Sequence, residues 1–273
     1  MTPSIENVLE FLSSLFDKGL SYSVINAAKS ALSHIIFIPP YRKLTDHPLM
    51  TQYGKGVFNL RPPKPKLQMV WDVKIVFDYL KEKGTNGKLQ DKELSQKLLI
   101  LLLLLGRQRM NSIFNFDVNN MFINSECVVF STSKVLKHSK PGRKLDQFTY
   151  RSFPEKDLCV VDCLKEYLTR RNLKVDSSVK KLFITLKAPY NEVSIDTLRR
   201  WIYDLFSGSK LLKNFTPHSC RAAATSKAEK LNVNMDEILK QGCWKNLKTF
   251  KNYYAKEIIY YAKEDVDFMK IIN

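Results

Sequence analysis

The stretch Thr216-Pro217-His218-Ser219-Cys220-Arg221 is the most informative part of this 273-residue sequence. Pro217 suits the first turn of a helix, so we expect His218 and Arg221 three positions apart on one helical face. A histidine that exchanges a proton, beside an arginine that clamps a phosphate, can stabilise a negatively charged phosphoryl transition state. Taken alone the pattern is weak, because a histidine and an arginine on an ordinary helix surface have the same spacing.

Upstream of this pair, a buried helix and a hairpin carry further positive charge. Residues 91–105 are apolar nearly all round and predict a central buried helix, which Gly106-Arg107-Gln108-Arg109 follows. Residues 127–137 and 144–150 are rich in Val, Phe, Thr and Tyr, and the Pro-Gly between them is typical of a turn. The sequence therefore predicts a lysine-rich β-hairpin after the buried helix.

Downstream of the pair come Gly242-Cys243-Trp244 and then two adjacent tyrosines, Tyr253 and Tyr254. The chain resembles the tyrosine recombinase (phage integrase-like) family over nearly its whole length. The family pattern has the same order of features: an arginine after a buried helix, a hairpin lysine, HxxR, a His or Trp, and then a tyrosine. Two phrases, residues 20–26 and 249–254, are similar to recombinases of eukaryotic mobile elements of the DIRS-like and Crypton type.

The resemblance implies a catalytic role for six residues. They are Arg109, Lys137, His218, Arg221, Trp244 and Tyr254. The two arginines would clamp the phosphate, and the lysine would protonate the departing 5′ oxygen. Trp244 stands where many relatives have His; its indole N–H can donate to a phosphate oxygen while its ring packs, and a plain core tryptophan is the alternative.

Two of these assignments have rivals close by in the sequence. Arg109 is favoured because Met110, Ile113 and Phe114 follow it at helical spacing, but Arg107 competes with it. Lys137 ends the first hairpin strand just before the turn. The competing lysines are Lys134, Lys140 and Lys144. Each of them has a plain alternative as a DNA-contacting or solvated side chain.

The nucleophile is the third open choice. Adjacent side chains on a helix point about 100° apart, so Tyr253 and Tyr254 cannot both face a phosphate. Bacterial and phage relatives place the tyrosine nine residues after the His or Trp, which favours Tyr253. The mobile-element relatives read Thr-Phe-x-x-Phe-Tyr, which favours Tyr254, and we take Tyr254 as the nucleophile.

The predicted fold is mainly α with a small β-sheet, in two domains. By resemblance, residues 1–60 form a helical N-terminal DNA-clamping (SAM-like) domain, and residues 69–273 form the α+β tyrosine recombinase catalytic domain. The Pro/Lys-rich residues 61–68 predict an extended linker. Helical patterns occur at residues 5–17, 23–35, 49–58, 70–81, 91–105, 160–170, 194–206, 218–230, 235–241 and 247–254. Because the first helix resembles an interior part of the clamping domain, an excerpt of a longer protein is one interpretation.

Charge and composition point to a nucleic-acid partner inside a cell. Lys plus Arg number 44 against 27 Asp plus Glu, and the net charge of +17 favours double-stranded DNA over a merely basic protein. The five cysteines include no CxxC pair and are expected to be reduced thiols. The longest apolar run, residues 98–105, is too short to cross a bilayer, and no signal peptide is apparent. The mobile-element likeness implies a nuclear location.

The resemblance also implies a mechanism without metal or nucleotide cofactor, through a 3′-phosphotyrosyl intermediate. No metal-ligand spacing or Walker-type glycine loop is present in the sequence. Four protomers would assemble on two DNA sites, with residues 258–273 docking onto a neighbour. The alternatives are a type IB topoisomerase-like enzyme and a domesticated, catalytically inactive DNA-binding protein.

Overall fold

The computed structural model describes residues 3–41, 43–63, 69–131, 147–211, 214–242, 247, 250, 254 and 256–259. The chain divides into two compact units, Met1–Leu67 and Gln68–Asn273. Helices predominate among the described residues and strands are short, so the prediction of a mainly α protein with a small β-sheet is confirmed.

The first unit is built on three helices, α1 (Ile5–Asp17), α2 (Tyr22–Ile35) and α3 (Pro48–Leu60). They occupy the segments in which the sequence predicted helices. Ser4 and Ser21 cap the first two by accepting hydrogen bonds from backbone N–H groups of the first turn. The buried core of this unit consists of Ile5, Val8, Leu12, Ile25, Leu44, Met50 and Val57.

Arg61, the first residue of the predicted linker, belongs to this unit. Its guanidinium donates to the carbonyls of Phe16 at 2.9 Å and Leu20 at 2.7 Å, and lies 3.9 Å from the centre of the Phe16 ring. It therefore ties the end of α3 to the turn between α1 and α2. Residues 64–68 of the linker lie outside the described residues.

The second unit contains the remaining helices and strands of the described part of the chain. They are β1 (Met69–Trp71), α4 (Val73–Glu82), α5 (Asp91–Gly106), α6 (Met110–Phe114), β2 (Met121–Ile123), β3 (Cys127–Ser131), β4 (Gln147–Arg151), α7 (Val160–Asn172), α8 (Ile195–Gly208), α9 (Ser219–Lys230), α10 (Met235–Gln241) and β5 (Glu257–Ile259).

Helix α5 is the centre of the second unit, as its apolar sequence predicted. The leucine-rich run from Leu98 to Leu104 is buried throughout, and the helix packs against α7, α8, α9 and β4. One charged residue, Lys97, is buried with it at 1% exposure and donates to the carbonyl of Gly84 at 3.1 Å. None of the described helices is both long and apolar enough to cross a membrane.

The predicted hairpin strands form an antiparallel sheet with a third strand, in the order β2-β3-β4. Cys127 pairs with Arg151 and Ser131 with Gln147. Phe148 and Tyr150 of β4 face the core, while the alternate residues of the strand are exposed. The connection between β3 and β4 lies outside the described residues, and strand β2 was not predicted.

A second sheet corrects one expectation from the sequence. Met69–Trp71 form β1, which runs parallel to β5 with Met69 opposite Glu257 and Trp71 opposite Ile259. The helix predicted over residues 70–81 therefore begins only at Val73, because the chain first extends to pair with a strand from the far end of the sequence. Ile258 and Ile259, the first two residues of the segment expected to dock onto a neighbour, pair with β1 of their own chain, and Ile258 is buried. Residues 260–273 lie outside the described residues.

Candidate active site

Helix α9 carries the pair that the sequence singled out. Its first residue is Ser219, and His218 occupies the capping position before it, so the predicted helix starts one residue later than expected. His218 is exposed at this helix end, whereas Arg221 is buried to 2% exposure three residues on. A solvent-facing imidazole thus stands beside an arginine that the fold holds in place.

Arg221 joins three separate parts of the chain. Its Nη2 donates to the carbonyl of Gly242, the residue that follows α10. Its guanidinium carbon lies 5.1 Å from the centre of the Tyr254 ring, within the range of a cation–π contact. Arg221 and Tyr254, two residues of the proposed catalytic set, are therefore in contact.

Tyr254 is held from the residues on both sides of it. Its N–H donates to the carbonyl of Phe250 at 2.8 Å, and the Phe250 side chain is fully buried. The Ser226 hydroxyl donates to the Tyr254 carbonyl at 2.8 Å and accepts the N–H of Lys256 at 3.0 Å. The position of the half-buried Tyr254 ring relative to α9 is thus fixed by the buried Phe250 before it and by the Ser226 hydroxyl, which bonds the backbone on its far side.

Strand β1 and the residue after it fasten the two ends of α9. The fully buried Trp71 donates its indole N–H to the Ser219 hydroxyl at 2.8 Å. The Asp72 carboxylate accepts a hydrogen bond from the Lys227 ammonium at 3.1 Å. It also caps α4 by accepting a hydrogen bond from the backbone N–H of Lys74 at 3.0 Å. Sequence reasoning missed Trp71, Asp72 and Ser226, because no motif marks a side chain whose partner lies 28 to 155 positions away in the sequence.

The two candidate arginines follow the end of α5. Gly106 is required there, because a Cβ at this position would collide with the Tyr150 ring. Arg107 then takes a left-handed conformation with φ of 51°, and Arg109 is extended. The Arg109 carbonyl accepts N–H groups of Ser112 and Ile113 at the start of α6, as its predicted place before a helix requires.

Arg107 and Arg109 are both half-buried, so burial does not choose between them. Burial lowers the pKa of the Arg107 guanidinium, and the Glu237 carboxylate of α10 acts in the opposite direction. The turn that carries both arginines directly follows α5, and α5 packs against α9, the helix that carries Arg221.

A cleft of about 480 Å³ opens beside this turn. The end of α5, strand β4 and helix α10 form its walls. Its polar and charged lining residues are Gln108, Gln147, Thr149, Arg151, Glu237 and Lys240. Among the described residues no group of three or more His, Cys, Asp or Glu side chains is arranged to hold a metal ion.

The remaining predicted site residues fall in segments that the structure does not describe. Lys137 and its rival lysines lie in the β3–β4 connection, outside the described residues, and Trp244 and Tyr253 are outside them as well. The described site thus consists of Arg221 and Tyr254 in contact, His218 just ahead of Arg221, and Arg109 beyond the end of α5.

This arrangement of helices and two small sheets is the fold of the tyrosine recombinases and integrases. The chain is similar to XerA recombinase (TM-score 0.51, 14% identity, 98% of this chain and 90% of that one). It is also similar to the Tn1549 transposon integrase in complex with transposon right end DNA (TM-score 0.60, 15% identity, 98% and 84%). A third likeness is to a lambda integrase tetramer bound to a Holliday junction (TM-score 0.52, 12% identity, 97% and 68%).

Similarity at these identities establishes the fold alone. No protein-family model and no curated protein matches the sequence. The function therefore rests on the residues of the site.

Proposed function

We propose that this protein is a tyrosine recombinase, a DNA strand-transfer enzyme that works through a covalent protein–DNA intermediate. The contact between the Arg221 guanidinium and the Tyr254 ring, 5.1 Å from carbon to ring centre, carries this proposal. A buried cation beside a tyrosine gives an attacking phenolate and a phosphate clamp one common location. His218, exposed at the start of the same helix, supplies a group that can exchange protons.

In the proposed reaction His218 accepts the phenolic proton of Tyr254 as the tyrosine oxygen attacks the scissile phosphorus in line. The bond from phosphorus to the 5′ oxygen breaks as the bond to the tyrosine oxygen forms, leaving a 3′-phosphotyrosyl enzyme and a 5′-hydroxyl. Arg109 and Arg221 neutralise the phosphate oxygens, Trp244 donates to one of them, and Lys137 protonates the leaving oxygen. Attack of a partner strand's 5′-hydroxyl reverses these steps, so the cycle conserves the phosphodiester and consumes no nucleotide.

Double-stranded DNA is the proposed substrate, and both units contribute to binding it. The net charge of +17 supports a polyanionic partner. The helical first unit, residues 1–60, would be the DNA-clamping domain, residues 61–68 the linker, and residues 69–273 the catalytic domain. The DNA complexes of the Tn1549 and lambda integrases, the latter a tetramer, support DNA binding and assembly of four protomers.

The biological setting we propose is integration of a eukaryotic mobile element in the nucleus. The support is the sequence likeness of residues 20–26 and 249–254 to DIRS-like and Crypton-type recombinases. Chromatin fractionation of cells that express the tagged protein tests the nuclear location. A protein found in the cytosol and absent from the nuclear fraction would contradict that location.

The test of the activity is a suicide-substrate assay. A duplex is first selected from random sequences by its affinity for the protein, then nicked beside each phosphate in turn so that the 5′-hydroxyl fragment diffuses away after cleavage. With a metal chelator present, we expect a denaturation-resistant adduct from the wild type and the Tyr253→Phe variant, and none from Tyr254→Phe. Tyr254→Phe keeps the ring beside Arg221 and should bind DNA normally.

Other outcomes identify the alternatives. Tight binding without an adduct at any nick would overturn the enzyme assignment and indicate a DNA-binding protein. An adduct accompanied by relaxation of supercoiled DNA, but no exchange between two duplexes, would indicate a topoisomerase-like enzyme. Loss of the adduct in Tyr253→Phe alone would move the nucleophile by one residue.

A further inference from the structure

A single buried hydroxyl bridges the backbone around Tyr254. Ser226 lies on α9, five residues after Arg221, and is 3% exposed. Its Oγ donates to the carbonyl of residue 254 at 2.8 Å and accepts the N–H of residue 256 at 3.0 Å. Both partners are backbone groups of another segment, so the hydroxyl fixes the course of that segment and not one side chain.

The bridge lies where the tyrosine segment turns into strand β5. Before it, the Tyr254 N–H donates to the carbonyl of Phe250, four residues earlier, at 2.8 Å. After it, Glu257 is the first residue of strand β5, which pairs with β1. Ser226 therefore holds the backbone between the proposed nucleophile and this strand. Because Ser226 and Arg221 lie on the same helix, a backbone segment that is bonded to Ser226 is also held at a fixed distance from Arg221.

We infer that Ser226 is a positioning residue that sets the register of Tyr254 against Arg221. Its catalytic consequence rests on the proposed function, because only a nucleophile needs its oxygen placed to a fraction of an ångström. A slip of one residue would present Tyr253 in place of Tyr254, and the two neighbours are both tyrosines. The Ser226 bridge supplies a physical reason why the Tyr254 ring lies against Arg221.

The plainer role for a buried serine is to bond its own helix and nothing else. Ser95 of α5 does this: it is 1% exposed and its Oγ donates to the carbonyl of Asp91, four residues earlier, at 2.6 Å. Ser95→Ala is therefore a matched control, since it removes a hydroxyl of equal burial from a helix without touching the tyrosine segment. Ser226→Thr keeps a hydroxyl in place and serves as the conservative variant.

The first measurement is hydrogen–deuterium exchange of the peptide that spans residues 254–259. In Ser226→Ala we expect exchange to rise at least about tenfold, because the N–H of residue 256 loses its acceptor and the adjoining ladder loosens. Ser95→Ala and Ser226→Thr should leave it near the wild-type rate. Equal protection in Ser226→Ala and Ser95→Ala would overturn the inference, and this readout needs no catalytic activity.

The second measurement is the single-turnover rate of adduct formation on the suicide substrate. We expect adduct formation by Ser226→Ala to be slower by roughly 10-fold to 100-fold, which is the effect of a small misplacement of a reacting group. Its DNA dissociation constant and its melting temperature should equal those of Ser95→Ala. Recovery in Ser226→Thr would support the hydroxyl as the cause. An unchanged rate in Ser226→Ala would overturn the inference, whereas a wild type that forms no adduct would count against the proposed function and leave the exchange result standing.

Discussion

The guanidinium carbon of Arg221 lies 5.1 Å from the centre of the Tyr254 ring, and the same guanidinium donates to the carbonyl of Gly242. One side chain of α9 thereby fixes the end of α10 and faces the proposed nucleophile. An arginine suits this position because its planar fork can serve several partners at once, whereas a lysine ammonium acts as a point charge.

Arg221→Lys should therefore keep the charge and lose the geometry. We expect the rate of adduct formation to fall by about 100-fold or more, which is typical when a preorganised donor to a developing oxyanion is removed, with a much smaller effect on DNA affinity. The control is Arg199→Lys on α8, where the arginine is exposed and pairs with Asp196 of its own helix. Equal rates for the two variants would show that Arg221 does not act on the phosphate.

Trp71→Phe tests the attachment of β1 to the start of α9. The phenyl ring still packs near Phe206, but the donor to the Ser219 hydroxyl is lost. We expect a loss of about 1–3 kcal/mol in the free energy of unfolding, because the hydrogen bond is lost and the smaller ring leaves a cavity in the core. Urea denaturation measures this loss, and we also expect slower adduct formation because His218 precedes Ser219. Ser219→Ala completes a double-mutant cycle, and strictly additive effects of the two changes would contradict a direct contact.

Gly106→Ala tests why a glycine precedes the two arginines. A Cβ there would overlap the Tyr150 ring, so we expect destabilisation of about 1–3 kcal/mol. The matched control is Gly56→Ala within α3, where nothing lies near the added methyl and a gain of about 0.5–1 kcal/mol is expected from helix propensity. Thermal melts of both variants decide the matter, and a neutral Gly106→Ala would mean that Tyr150 moves aside freely.

Lys97 gives a prediction for pH dependence. Burial in α5 lowers the pKa of its ammonium from the ordinary 10.5, so the unfolded chain holds this proton more tightly than the folded one. The cost of the buried charge is fully present below the lowered pKa and disappears as the pH rises to 10.5. Lys97→Met should stabilise the protein by about 1–3 kcal/mol at pH 7.

The pH profile separates this explanation from a simple packing effect. Denaturant unfolding between pH 7 and pH 10 should show the advantage of Lys97→Met shrinking as the pH increases. A constant or growing advantage would contradict a lowered pKa for the buried ammonium. The exposed Lys92 of the same helix pairs with Asp204, and Lys92→Met should show no such narrowing.

The local patterns of the sequence predicted the helices well, because the residues that favour a helix lie within it or directly beside it. The apolar run in α5, the helical spacing of apolar residues in α1 and α2 and the Thr-Pro before α9 all act over a few residues. Strand β1 gave no comparable signal, since its partner β5 lies at the other end of the chain. Two of its three residues, Val70 and Trp71, were therefore predicted to lie in the first turn of α4.

The candidate site divides in the same way. His218 and Arg221 are three positions apart in the sequence and stay neighbours in the fold. The contact of Arg221 with Tyr254, the Ser226 bridge and the Trp71 hydrogen bond join distant segments, and composition gives no sign of them. The buried Lys97 was also unforeseen, because a lysine in an apolar helix is ordinarily assigned to its exposed side.

The most direct test of the central claim is to map the covalent link. The adduct from the nicked duplex is digested with nuclease and protease, and the tyrosine that carries the residual nucleotide is identified by mass spectrometry. We predict a 3′-phosphate ester on Tyr254, formed with a metal chelator present. A link to Tyr253 or to any other residue, or tight DNA binding with no link at all, would contradict the account.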